Sequence, residues 1–241
     1  MLLFVLIVSC LLNSNFVHGY LIGSHSSSSK RVTSLSSYTF PIPFVSNVLR
    51  GDTNKNDTQQ KLKAELLQQT LGTQNGIYAT ESQRVAIASI VQRLEKVNTS
   101  VSKISTSTQL SGNWRLIYTT NKGSSAGKIG PWVGKVNQII DLDGKIYQNV
   151  VTVGPSFLLQ GSLSATWDVL SNTTWRVKFL DIEFKLFNAI TLLNKPLNAT
   201  GIWRMSYLDD SLRILYASSG GGAGRLANAS EENIYILIRE N

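Results

Sequence analysis

Two close pairs of carboxylates are the residues best suited to acid–base or metal chemistry in this sequence. Asp181 and Glu183 are two residues apart in a segment of strand character, so they share one face, and Asp209 and Asp210 are adjacent in a polar turn. Neither pair has a third ligand or a partnered base nearby, and acidic residues in turns usually serve the turn backbone. Both pairs favour a structural role over catalysis.

Cysteine and histidine are confined to the N-terminal part of the chain. The sole cysteine is Cys10, and the two histidines are His18 and His25. If this part is removed, the remaining chain has no structural disulfide, no Cys- or His-ligated zinc, no thiol nucleophile and no Ser–His–Asp triad. The sequence therefore predicts a protein that is not an enzyme, with no cofactor and no metal site.

The overall composition is that of a globular protein with a substantial core. Hydrophobic residues make up 42% of the 241 residues and charged residues 16%, with a formal net charge of +8. This excess of positive charge fits either a plain soluble domain or attraction to an anionic membrane surface. No cluster of Lys and Arg is interleaved with aromatic residues, so we expect no nucleic-acid partner.

The N-terminus has the composition of a targeting leader in two parts. The apolar run at 2–12 is shorter than the roughly 20 residues of a membrane-spanning helix, and it predicts a signal peptide over residues 1–19, cleaved before Tyr20. Residues 20–50 are Ser-rich, basic and free of acid, which predicts a disordered, transit-peptide-like segment. This arrangement resembles the leader of algae whose plastids lie inside extra membranes. Tyr20 stands where Phe is usual there, which keeps secretion open.

Helical patterns come next, over residues 51–98. Helix-forming residues at 58–71 end at Gly72 and predict a first helix. Thr80 with Gln83 three residues later forms a capping box for a second helix. The apolar face of that second helix is marked by Ile87, Ile90, Val91, Leu94 and Val97.

The remaining chain, 110–241, is dominated by strand patterns. The predicted strands are 112–120, 135–142, 145–153, 157–169, 174–184, 199–207, 211–217 and 233–239. Asp143-Gly144 is a typical hairpin turn. The spacing predicts about eight antiparallel strands in an up-and-down barrel or a strongly bent sheet. The fold class is thus mainly β with N-terminal helices (α+β), and an eight-stranded barrel has room for one small ligand.

Two similar segments, each with a Gly two residues before a Trp, lie near the start and the end of this β-region. Strand periodicity places Trp114 and Tyr118 on one face in the first, and Trp203 and Tyr207 on one face in the second. These aromatic residues belong either to a ligand-binding lining or to an ordinary packed core. The full set of candidate lining residues is Trp114, Tyr118, Phe157, Trp167, Phe179, Trp203 and Tyr207.

Two further features are candidates for structural or membrane roles. We expect the Arg213 guanidinium to lie over the Trp114 ring and to close one end of the barrel, together with Gly112 and Asp209. The segment at 130–134 reads as a loop whose Trp132 is flanked by lysines, suited either to a lipid interface or to a plain turn.

Several of these segments together resemble the plastid lipid-associated protein (PAP) family, also called fibrillins, over about residues 60–240. The segments that carry the resemblance are 61–71, 84–95, 110–120, 136–141, 149–151, 207–214 and 235–239. After Ile214 this chain departs from the Arg-Gly run usual in the family. The resemblance implies a lipocalin-like β-barrel. It also implies a location on plastoglobules or thylakoids and non-catalytic binding or organisation of carotenoids, quinones and other lipids.

Three functional hypotheses follow. The first is a plastid protein that binds hydrophobic small molecules or coats a lipid droplet or membrane peripherally. The second is a secreted lipocalin-like carrier of a small hydrophobic ligand. The third, disfavoured by the lack of His and Cys, is an enzyme that modifies a prenyl or carotenoid ligand inside the barrel.

Overall fold

The computed structural model describes residues 53–98, 103–154, 158–219 and 232–240. The predicted leader segments and Phe157 lie outside these described residues, as does most of the Gly-rich stretch between the last two strands.

Two helices precede the strands in chain order. Helix α1 is Thr53–Thr70 and helix α2 is Glu81–Val97, and short 3-10 turns occupy Ile104–Thr106, Thr108–Leu110 and Ser124–Ala126. The strands are β1 Gly112–Thr119, β2 Lys128–Ile129, β3 Trp132–Val133, β4 Lys135–Asp141, β5 Ile146–Val153, β6 Leu159–Val169, β7 Thr174–Leu186, β8 Ile190–Leu208, β9 Leu212–Ser219 and β10 Asn233–Glu240.

Eight of these strands form a closed antiparallel barrel. Their order around the barrel is β1-β10-β9-β8-β7-β6-β5-β4. From β4 to β10 each strand pairs with the next one in sequence. Strand β1 pairs with β4 on one side and with β10 on the other, which closes the barrel. The predicted fold class is confirmed. The β4–β5 turn is held by Asp141, whose Oδ1 accepts hydrogen bonds from the backbone N–H groups of Asp143 and Gly144, both at 3.1 Å.

β-Bulges in β1 and β8 change which residues face the interior. The pairing register shifts between Leu116 and Tyr118 in β1, and between Met205 and Tyr207 in β8. A bulge adds one residue on one strand and so reverses the alternation of faces beyond it. Trp114 therefore packs inside, whereas Tyr118 and Tyr207 pack outside under the helices. Strand periodicity predicts that Tyr118 lies on the same face as Trp114, and Tyr207 on the same face as Trp203. This prediction is wrong, because both tyrosines point away from the barrel interior.

The two helices pack on the outer face of the barrel and complete a second core. We call this the outer cluster; its fully buried members include Leu62, Leu66, Ile87, Ile90, Leu94, Tyr207, Ile214 and Ile236. Helix α2 begins with the predicted capping box, in which Thr80 accepts from the Gln83 backbone and Gln83 accepts from the Thr80 backbone. The apolar face predicted for this helix is the face that it buries.

The barrel interior is packed with aromatic and aliphatic side chains, which we call the inner cluster. Trp167 and Trp175 stack with ring centroids 4.4 Å apart, and Tyr147 meets Trp203 edge-on at 4.7 Å. Contacts of these kinds add to the stability that apolar burial alone supplies.

Strand β8 is longer than the sequence pattern predicts. Its first half, 190–200, pairs with β7 alone among the described residues, and β9 joins only from Gly201 onward. The β7–β8 hairpin closes through Phe187 and Asn188, which have positive φ values of 50° and 55°. Since this half contains Pro196 and two Asn residues, its strand character depends on pairing with β7 rather than on its own propensity.

A truncation in helix α2 tests the outer cluster. Leu94 is 0% exposed, so Leu94→Ala is expected to lower the free energy of unfolding by about 2–5 kcal/mol, measured by urea denaturation. The matched control is Val85→Ala on the same helix, because Val85 is 62% exposed and its truncation leaves no cavity. Equal losses for the two variants would contradict the packing described here.

Candidate functional site

One end of the barrel, the closed end, is sealed around Trp114. The indole Nε1 of this fully buried residue donates a 2.9 Å hydrogen bond to the carbonyl of Leu110, which ends a 3-10 turn across the opening. The Arg239 guanidinium carbon lies 4.2 Å from the ring centroid and that of Arg213 lies 5.3 Å away. The structure therefore brings Arg213 and Trp114 together, and it adds a second, closer arginine.

Arg239 makes three hydrogen bonds at the closed end. Its guanidinium donates to the backbone carbonyls of Gln109, Ser111 and Asp210, so it ties the entry turn to the β8–β9 turn. Gly112, with φ of +127°, leaves the space for this side chain, because a Cβ there would lie 2.6 Å from Arg239 Nη1. Sequence reasoning assigned no role to Arg239; the available signal is its position directly opposite Trp114 on the last strand.

Asp209, which we expected to act together with Arg213, instead binds the backbone of the β8–β9 turn and helix α1. Its Oδ1 accepts from the backbone N–H groups of Ser211 and Leu212, and its Oδ2 accepts from Tyr207 Oη and from Lys63 Nζ of α1, the last at 2.8 Å. Burial pushes the pKa of Asp209 upward, but the hydrogen bonds from Lys63, Tyr207 and the turn outweigh it and hold the pKa below its usual value. Asp209 thus anchors α1 to the barrel.

The interior of the barrel contains a small cavity in the described part of the chain. A cavity of about 20 Å³ lies between Tyr147, Phe179, Trp203 and Tyr235, which is room for roughly one water molecule. Phe179 and Trp203 therefore border this space, whereas Trp114 and Trp167 are packed core. Side chains of the inner cluster surround this cavity.

Apolar side chains are exposed at the opposite end of the barrel, which we call the far end. Because the strands alternate in direction, the β2–β3 and β7–β8 turns lie at this same end. Trp132 is 43% exposed in the first turn, and Phe187 and Ile190 are 57% and 56% exposed in the second. The segment expected to be a loop around Trp132 is a short two-stranded hairpin.

The charges near the β7–β8 turn are balanced. Lys185 pairs with Glu183 at 2.8 Å, and the Glu183 carboxylate also accepts from Thr191. Asp181 sits opposite Pro196 on the same hairpin, where Lys195 is exposed. The predicted carboxylate pair of Asp181 and Glu183 thus belongs to a surface hairpin, and we find no group of acidic, His or Cys side chains suited to a metal ion in the described residues.

Comparison with known proteins identifies the family. The PAP_fibrillin family model matches residues 60–224, which is more than half of the chain. The chain belongs to the PAP/fibrillin family. No solved structure matches it.

Several curated PAP/fibrillin-type relatives are similar over about half of this chain. It is 28% identical over 130 residues to the chromoplast-specific carotenoid-associated protein C1 of an Oncidium hybrid, covering 49% of this chain and 39% of that protein. It is 31% identical over 124 residues to the light-induced chloroplastic protein of Solanum tuberosum, with 49% and 38% covered. A probable plastid-lipid-associated protein 11 of Arabidopsis thaliana matches at 31% identity, with 47% and 54% covered. The chain thus spans little more than a third to about half of the length of these relatives.

Helices α1 and α2 contain no apolar stretch of the length that crossing a membrane requires, and the same is true of every helix within the described ranges.

A substitution that removes the negative charge of Asp209 but keeps its shape tests the helix anchor. Asp209→Asn removes the partner of Lys63 and is expected to lower the free energy of unfolding at pH 7 by about 1–3 kcal/mol. Because the folded-state pKa lies below the unfolded one, the stabilisation by Asp209 is complete at neutral pH and is lost as pH falls through the folded pKa. The difference between wild type and variant should therefore narrow below about pH 4 in urea titrations.

The matched control is Asp143→Asn, which removes the same charge from an exposed turn. This control should leave the unfolding free energy nearly unchanged at pH 7. A loss at Asp209 that stays constant between pH 7 and pH 3 would contradict the anchor.

Proposed function

We propose that this protein is a non-catalytic plastid protein that binds and organises hydrophobic molecules at a lipid surface, such as a plastoglobule or a thylakoid. The observation that carries the proposal is the exposure of Trp132, Phe187 and Ile190 in two neighbouring turns of the far end. Apolar side chains gathered at one end of a molecule mark a contact surface for membranes or other apolar partners.

The energetics favour reversible binding. Fully burying an aromatic or Ile side chain contributes about 1.5–3 kcal/mol, and these three residues are already about half buried. Their insertion therefore supplies a few kcal/mol, which is the range of peripheral attachment rather than of permanent anchoring. Since the hairpin charges are balanced, attraction to anionic lipid is not required.

The names of the relatives support the same proposal. The Oncidium proteins are named as carotenoid-associated and the Arabidopsis protein as plastid-lipid-associated. A non-catalytic role for this chain is supported by its acidic pairs, because Asp209 and Glu183 are engaged in structural hydrogen bonds and ion pairs. Hydrophobic small molecules held at the lipid surface are the proposed partners.

Flotation with lipid vesicles tests the contact surface. The chain without residues 1–50 should float with vesicles of neutral galactolipid, and the Phe187→Ser/Ile190→Ser variant should float at least about fivefold less, because each Ser removes apolar area from the contact. Wild-type flotation should persist in 0.5 M NaCl, since salt screens charge but not apolar contact.

The matched control for this flotation is Val169→Ser, which removes a similarly exposed apolar side chain from the end of β6, at the closed end of the barrel. This control should float like the wild type. The proposed contact would be contradicted if the double variant floated like the wild type, or if wild-type flotation disappeared in 0.5 M NaCl.

The leader distinguishes plastid from secreted protein. We propose that residues 1–19 act as a signal peptide and 20–50 as a transit-like segment, so a fluorescent fusion of residues 1–50 should accumulate in the plastid of an alga with extra plastid membranes. Tyr20→Phe, which restores the aromatic residue usual at that site, should retain or increase plastid import. Fluorescence in the medium would favour the secreted carrier instead.

A further inference from the structure

Arg213 is a fully buried cation without an anionic partner. It is 1% exposed and lies on the interior face of β9 with Leu215 and Ala217. Among the ion pairs of the described residues, none involves Arg213, and its Nε has no hydrogen-bond partner. Its Nη2 donates to Gln138 Oε1, a neutral acceptor.

A cation in such a position is costly, and barrel closure does not account for it. Removing a charge from water costs several kcal/mol unless a counter-charge is provided. Burial lowers the pKa of Arg213 to about 10, so the group keeps its charge at neutral pH. Closure of the barrel end is already supplied by Arg239, which lies closer to Trp114 and binds three carbonyls.

The surroundings of Arg213 add further polar groups. Gln138, its hydrogen-bond partner, lines the interior cavity of about 20 Å³, as do Tyr147 and Asn149. The Asn149 Oδ1 atom is also buried without a partner. The charged and titratable groups that act on Arg213 are Tyr147, which favours its charged form, and Arg239, which opposes it. No carboxylate is among them.

We propose that this interior site binds a carboxylate, whose oxygen enters the cavity beside Gln138 and supplies, next to this hydrogen-bond partner, the negative charge that Arg213 lacks. A guanidinium with a free N–H and an exclusively neutral partner matches an oxyanion, because charge-assisted hydrogen bonds to carboxylates are the strong ones. The carboxylate comes either from a small free acid or from the head of an acyl chain. The second source rests on the proposed function and names the chemistry of its cargo.

The size of the cavity separates these sources. It holds about one water molecule, so one carboxylate oxygen fits in it and the rest of a free acid such as acetate stays at its border. An acyl tail enters only if side chains that border the cavity, such as Leu163 and Phe179, move apart.

Ligand-dependent melting of the chain without residues 1–50 tests the site at pH 7.5 and constant ionic strength. Sodium acetate, sodium decanoate and 1-decanol are compared, each below its micelle-forming concentration. A ligand that binds only the folded state raises the melting temperature. Decanoate or acetate should do so and decanol should not. Tighter binding of decanoate than of acetate identifies an acyl head group, and equal binding identifies a free acid.

Arg213→Gln should weaken carboxylate binding at least about tenfold, whereas Arg176→Gln, which removes an exposed arginine from β7, should leave it unchanged. Gln138→Glu provides a test that does not depend on losing a buried side chain. It supplies a carboxylate beside Arg213 from within the protein, so the melting temperature should rise by a few degrees while the response to added carboxylate disappears.

The proposal is overturned if neither carboxylate raises the melting temperature, if decanol matches decanoate, or if Gln138→Glu still responds like the wild type. The Phe187→Ser/Ile190→Ser variant keeps the two proposals apart. It should lose flotation but retain carboxylate binding, since its substitutions lie on the surface of the far end.

Discussion

The barrel depends on how one tryptophan is held between its first and last strands. Trp114 is on β1 directly opposite Arg239 on β10, and the contact between the indole ring and the guanidinium lies at this seam. Arg239 then reaches the carbonyls of the entry turn and of the β8–β9 turn, so one side chain joins three segments that are far apart in sequence. Closure brings together residues more than one hundred positions apart, and because the entropy cost of closing a loop grows only slowly with its length, the contacts at this seam offset a modest additional cost.

Two bulges divide the aromatic residues between two cores. Without the register shift in β1, Tyr118 would point into the barrel beside Trp114, and the outer face would lose a large side chain for α2 to cover. The shift in β8 places Tyr207 beneath α1, where its hydroxyl donates to Asp209 and accepts from Gln59. The same irregularities thus reduce the interior lining and create the platform on which the helices pack.

Much of this arrangement can be predicted from local residue patterns, and the remainder depends on tertiary pairing. The capping box at Thr80 and the strand pattern from 110 onward report helix and strand reliably, because both depend on neighbours in sequence. A bulge has no comparable residue signature, so period-2 reasoning fails at Tyr118 and Tyr207. Residues 190–198 are not predicted as a strand, because their strand conformation depends on pairing with β7 and not on their own residue types. The contact between Arg213 and Trp114 can be predicted from the sequence. The contact between Arg239 and Trp114 cannot, because it depends on the pairing of β1 with β10.

The inner cluster and the exposed far end are the two parts of the barrel to which binding is proposed. The stacking of Trp167 on Trp175 and the edge-on contact of Tyr147 with Trp203 add to the stability of the core, whereas burial of the Arg213 charge lowers it. The proposed oxyanion would reduce that cost, so occupancy of the interior would be linked to the stability of the barrel. The proposed contact with lipid at the far end involves a different set of side chains, Trp132, Phe187 and Ile190, which are exposed and distant in sequence from Arg213. The two proposals therefore depend on different residues of one fold, and substitutions at the far end test one of them without changing the other.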